Sequence, residues 1–154
     1  MTKAVYINDI AAFLPNEPVT NDEMEQVLGT INGHRSRARS LVLRNNGIKQ
    51  RYYAIDKHSG ELRYTNARLT AEAIRQLKLD PSRIETLSCG TSSPDQLMPG
   101  HGVMVHGELG GTPCEVNSSA GICTAGIVAL KYAWLSILSG NSRNAVATGS
   151  ELAS

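Results

Sequence analysis

The sequence predicts a layered α/β fold, a sheet with helices on its faces. From residue 84 onward, strand-like and helical runs alternate, which is the pattern of βαβ units. Pro99 stands in the first turn of one such helix, where its missing N–H costs nothing. A length of 154 residues suits a single domain able to bury a real core.

Taken in order, residues 4–14 are expected to form an opening strand that Pro15 stops. Thr20 with Glu23 three residues on is a capping box, opening a helix that runs to Leu28 and ends at Gly29. A second helix is expected over residues 36–44. Residues 47–54 are read as extended or loop. Residues 66–79 are read as a helix with Ala71, Ile74 and Leu77 spaced for one face. After these come a strand at 84–89, a helix at 99–109, a strand at 113–118, a helix at 123–138 and a strand at 144–149. The chain then stops as a strand enters its next connection, as though it were part of a larger protein.

Cys123 draws the chemical reading. It lies in a turn of small residues, Ser118 through Gly126, that runs straight into an apolar helical stretch. The first N–H groups of a helix lack internal partners and carry a partial positive charge, which favours a thiolate and can hold an oxyanion beside it. The helix that follows has Lys131 as its only charge and is apolar on more than one face, so it is expected to be buried on most sides. Free cysteines are usually buried small hydrophobes. Cys89 and Cys114, each in or beside a strand-like run, fit that ordinary role. Gly121-x-Cys123 also begins the glycine-x-nucleophile-x-glycine elbow of serine hydrolases, but Ala125 stands where that pattern has glycine.

Charges nearly cancel at a formal +1, so no electrostatic footprint points to nucleic acid or a membrane surface. The local cluster of Arg35, Arg37, Arg39 and Arg44 is read as a solvated helix face. The N-terminus shows no charged-then-apolar leader, and no stretch is judged long enough to span a bilayer, which places the protein in the cytoplasm. Three cysteines without a C-x-x-C pair fit a reducing compartment rather than a disulfide framework or structural zinc. His101 and His106 miss the i, i+4 spacing that aims two rings at one metal, so neither a metal nor another cofactor is expected.

Several motifs in order carry a resemblance: Gly47-Ile48 with Arg51, Gly90-Thr91-Ser92-Ser93-Pro94-Asp95 closing a strand, Pro99 with Leu109-Gly110, Cys123 followed by Ala129-Leu130, and Ser139-Gly140 before Gly149-Ser150-Glu151. On these, residues 1–154 resemble the N-terminal half of a β-ketoacyl-acyl carrier protein synthase III, within the thiolase superfamily. The resemblance implies a thiolase-like α/β/α/β/α fold, of which this chain is the N-terminal half: a mixed five-stranded sheet with a buried central helix. It implies that Cys123 is acylated by a thioester, then attacked by a carbanion from a second acyl chain. The histidine and asparagine that assist lie in the absent C-terminal half, so residues 1–154 alone are expected to be inactive in condensation.

The resemblance also implies a homodimer and acyl carrier protein or acyl-CoA thioesters as partners, with Met98, Arg44 and Lys49 as substrate-binding residues. Met98 stands where a phenylalanine often closes the partner's pocket; an ordinary core methionine is the alternative. Leu41 replaces a frequent tryptophan and Asn45 a frequent arginine, which weakens contacts to coenzyme A and favours a carrier-protein donor. The segment Ser118-Ser119-Ala120-Gly121-Ile122 departs from the alanine-rich run of fatty-acid starters and resembles the branch that joins two β-ketoacyl chains into dialkylresorcinol or flexirubin-type lipids. Two further readings stay open: a non-catalytic partner subunit, and a cysteine-dependent thioester hydrolase.

Overall fold

The computed structural model describes residues 4–30 and 32–152. The described residues divide into two compact units: residues 4–13 together with 65–152, and the described part of residues 14–64.

In the larger unit, helix α3 (Asn66–Arg75) leads into three parallel strands, β3 (Thr86–Gly90), β4 (Glu115–Ser119) and β5 (Ala145–Gly149), with α4 (His101–Glu108) and α5 (Ala125–Ser139) as the crossovers. The order is β4-β3-β5, with Thr86 level with Glu115 on one side and Ala145 on the other. The first crossover moves outward from β3 and the second moves back across it. Right-handed connections in opposite directions place α4 and α5 on opposite faces. The pleat of β3 then divides the core. Leu87 and Cys89 join Ala67, Ala71, Ile74, Val105 and Val146 in one apolar cluster on the α3/α4 side. Thr86 turns the other way, its hydroxyl 3.1 Å from Ser136 of α5.

That second face is built for close approach. The buried residues of α5 are Ala125, Ala129, Ala133 and Ser136, a single stripe of small side chains. A Cβ on Gly90 would lie 2.2 Å from the Ala125 carbonyl oxygen, and one on Gly126 3.2 Å from Gly149 Cα. These glycines let the helix start rest directly on the strand ends. The outer side of α5 carries Ile127, Val128, Leu130, Trp134 and Leu135, all exposed, so the helix is not buried on most sides as its composition suggests. Periodicity failed here because the helix is apolar all round, small residues inward and large ones outward. Residues 122–139 as one helical run also reach 18 residues at a mean hydropathy of 1.6, long and apolar enough by length and composition to cross a bilayer, contrary to the sequence expectation. Ser136 bonded to Thr86 and Ser142 instead fixes this helix against the sheet.

Two other expectations need correction. Residues 4–14 form no strand ladder: Tyr6, Ile7 and Ile10 are exposed, and the segment is tied by Asp9, whose carboxylate accepts from the Lys78 N–H at 2.8 Å. A strand exists only with a partner, and none is present among the described residues. For the same reason the sheet has, among the described residues, three strands, all parallel, rather than a mixed five. Helix ends shift by a few residues. α3 stops at Arg75, where Gln76 and Leu77 make tighter i→i+3 bonds ahead of Asp80-Pro81.

The smaller unit holds β1 (Val19–Thr20) paired antiparallel with β2 (Gln50–Arg51), α1 (Met24–Leu28) and α2 (Arg39–Asn46). The capping box is present: the Thr20 N–H and hydroxyl both donate to Glu23, at 2.9 and 2.8 Å. α1 begins only at Met24, after a turn. Gly47 closes α2 at φ +67°. The arginine cluster is only partly a solvated face, since Arg35 pairs with Glu25 at 3.1 Å and Arg39 with the same carboxylate at 3.8 Å.

Candidate active site at the carboxyl edge of the sheet

Parallel strands bring their carboxyl ends to one edge, and in open α/β sheets that edge is where ligands bind. Here it carries three loops: residues 91–100 after β3, residues 120–124 after β4, and Ser150-Glu151 after β5. A depression of about 470 Å³ lies among Ile84, Glu85, Pro113, Arg143 and Asn144, at the opposite, amino end of the strands.

Cys123 sits in the second loop, in a 3-10 turn (Ile122–Thr124) that feeds α5. The turn is closed by Thr124, whose N–H and hydroxyl donate to the Gly121 carbonyl at 3.0 and 2.7 Å. Ile122 is driven into the left-handed region at φ +51°, a conformation disfavoured for a β-branched residue. The turn thereby presents Cys123 to solvent. Its thiol has no hydrogen-bond partner among the described residues. The other thiols differ as expected. Cys89 is fully buried in β3 and its pKa is pushed up to about 11 by loss of water. Burial also raises the Cys114 thiol, just before β4.

Met98 stands in the first loop and is 86 % exposed in this chain. Arg44, at the end of α2, and Lys49, ahead of β2, are exposed in the smaller unit, which is a separate body from the one holding Cys123 and Met98. Neither histidine of the larger unit bonds the thiol. His106 Nε2 lies 2.6 Å from the Thr112 carbonyl, and His101 belongs to a buried polar cluster.

Sequence reasoning missed how the first and third loops lock together. The Glu151 carboxylate accepts from the Ser92 N–H (2.9 Å), Ser92 hydroxyl (2.7 Å) and Ser93 hydroxyl (2.8 Å). Burial alone raises this carboxyl, but those bonds outweigh it and hold its pKa below the usual carboxylate range. Asp95 caps α3 through the Asn66 and Ala67 N–H groups at 2.6 and 2.8 Å. Asn66 donates to the Thr91 hydroxyl (2.9 Å) and the Ser93 carbonyl (2.7 Å). The motif residues were visible in the sequence, but nothing in it paired Glu151 with Ser92.

No protein-family model matches the chain. Curated β-ketoacyl-[acyl-carrier-protein] synthase III proteins do align with it. That of Campylobacter curvus is 31% identical over 155 residues, covering 98% of this chain and 42% of the relative. That of Ehrlichia canis is 27% identical, covering 99% and 45%, and that of Xanthomonas oryzae pv. oryzae 23%, covering 98% and 44%. The chain thus spans less than half the length of the curated relatives it matches. Among solved structures, a tetronic acid condensing enzyme is 28% identical with a TM-score of 0.67, covering 83% of this chain and 39% of that one. The Thermus thermophilus β-ketoacyl-[acyl carrier protein] synthase III superposes with a TM-score of 0.70 at 20% identity, covering 93% and 41%, and shows the shared fold.

Proposed function

We propose that this chain, a homologue of the β-ketoacyl-[acyl-carrier-protein] synthase III proteins with their thiolase-like fold, contributes the acyl-accepting cysteine of a carbon–carbon bond-forming enzyme. The observation that carries this is Cys123 alone: the exposed thiol of three, presented by a strained turn at the carboxyl edge of a parallel sheet and at the foot of α5.

In this reading the Cys123 thiolate attacks a thioester carbonyl, the tetrahedral oxyanion is held by N–H groups at the foot of α5, and the donor thiol leaves. A carbanion from the second acyl chain then attacks the acyl-cysteine carbonyl, forming the new carbon–carbon bond and releasing the cysteine. The base for that step belongs to a C-terminal half, which the bare apolar face of α5 is suited to pack against. Exposed Met98 is assigned to the acyl-chain path, and Arg44 and Lys49 to the thioester's phosphorylated carrier arm. Leu41 and Asn45 favour a carrier protein over coenzyme A as donor. The segment Ser118 to Ile122 favours two β-ketoacyl chains as substrates, joined as in dialkylresorcinol-type lipids.

The test is condensation by the intact protein, followed as product formation from acyl and β-ketoacyl thioesters. Cys123→Ala is expected to abolish turnover, by 10³-fold or more on the order of what removing a covalent nucleophile costs, without altering the folding transition. Turnover within about tenfold of wild type would refute the assignment.

A further inference from the structure

His101, the first residue of α4, is 3 % exposed and takes no part in the chemistry above. Its Nε2 lies 3.3 Å from Thr70 Oγ1 of α3 and 3.2 Å from Ser150 Oγ after β5, and those two hydroxyls are 2.7 Å apart. One ring nitrogen and two hydroxyls thus close a triangle joining three segments distant in sequence.

The protons in this triangle can be assigned. A hydroxyl has one proton to give. Thr70 Oγ1 donates toward the Asn66 carbonyl at 2.8 Å and toward Ser150 Oγ at 2.7 Å, so its single proton is committed between those two acceptors. Toward His101, Thr70 can then only accept, which requires Nε2 to carry hydrogen. Ser150 Oγ accepts from Thr70. Nδ1 is left as a bare acceptor, buried and without a partner among the described residues. A neutral ring tolerates this. A proton on Nδ1 would create a buried donor with nothing to receive it, the costlier of the two orphans.

The charged groups around the ring are already engaged. Asp95 spends both oxygens on the first N–H groups of α3, and Glu151 holds Ser92 and Ser93. From β4, Ser118 reaches only the Gly102 N–H, at 2.8 Å, and the one acid of that strand, Glu115, lies at its far end. β3 carries no charged side chain, α3 brings the neutral Asn66 and Thr70 to this position, and its Arg75 pairs with Glu72 at 2.8 Å. The fields of Asp95 and Glu151 favour an imidazolium, but burial is the larger influence and lowers the His101 pKa below its ordinary value.

We propose that His101 is a neutral, Nε2-protonated pin that couples the start of α4 to the turn after β5, and that acid protonates Nδ1 and releases this coupling. The device is a pH-sensitive latch on the edge that carries Cys123, and it stands whether or not that cysteine is acylated. The sign is fixed by the direction of the shift. With the folded value below the unfolded one of about 6.5, the unfolded chain binds the proton more readily, so stability falls as pH drops below the unfolded value.

The test is nitrogen-15 NMR of the histidine rings of the intact protein, with thermal unfolding measured from pH 7.5 to 5. The His101 ring is expected to show the Nε2–H tautomer at pH 7.5 and to titrate below about 6.5. His101→Gln, whose amide can still donate to Thr70 but cannot titrate, is expected to lose less melting temperature over that range than wild type, by on the order of 4 °C. An Nδ1–H tautomer or a charged ring at pH 7.5 would overturn the proposal, as would identical pH dependences of the two proteins. Should the variant fail to fold, the tautomer and midpoint in the wild type decide alone.

Discussion

Cys89 and Cys123 show how position sets the behaviour of one chemical group. The first lies in the central strand without water, its thiol held protonated with a pKa of about 11, and neighbours on both sides close every approach. The second caps a turn whose strain, at Ile122, turns it outward. Reactivity follows thiolate content and access together. Limiting iodoacetamide at neutral pH is therefore expected to label Cys123 at least tenfold faster than Cys89, read by peptide mass spectrometry; equal labelling would mean that the strand opens more easily than its packing implies. That Cys123 stood apart was legible in the sequence, because small residues before a long apolar helix are a local signal. The Glu151 clamp and the His101 triangle were not, because their partners are brought together only by the register of three strands.

At the scale of elements, α5 is the piece on which the site depends. Its inward stripe of Ala125, Ala129 and Ala133, its own Gly126, and the facing Gly90 and Gly149 set the helix-to-sheet distance, which in turn fixes where residue 123 emerges. Ala129 is fully buried. Ala129→Leu is expected to destabilise the fold by about 1–3 kcal/mol through overpacking, measured by denaturant unfolding, and to lower acylation of Cys123 as the helix start moves off the strand ends. The opposite change at exposed Leu130, Leu130→Ala, is expected to cost under about 0.5 kcal/mol in this chain. The alternating β and α elements were predictable, since each strand and crossover carries its own periodicity. The burial of α5 was misjudged because composition reports how apolar a helix is and not which side meets the sheet. The strand expected at residues 4–14 was misjudged for a related reason: strand propensity is local, but a ladder needs a second chain segment beside it.

For the molecule as a whole, a three-stranded parallel sheet with one face of α5 bare is what the larger unit presents, and relatives more than twice as long share its fold. In the proposed reaction Cys123 is the point at which an acyl group joins the protein. The direct measurement is to mix the intact protein with an acyl thioester, on carrier protein and on coenzyme A in parallel, quench in acid within seconds, and map the peptides by mass. The added acyl mass is expected on the peptide bearing Cys123, faster from the carrier protein than from coenzyme A, and absent in Cys123→Ala. Turnover with Cys123 unmodified throughout, or acyl mass on Cys89 or Cys114 instead, would contradict it.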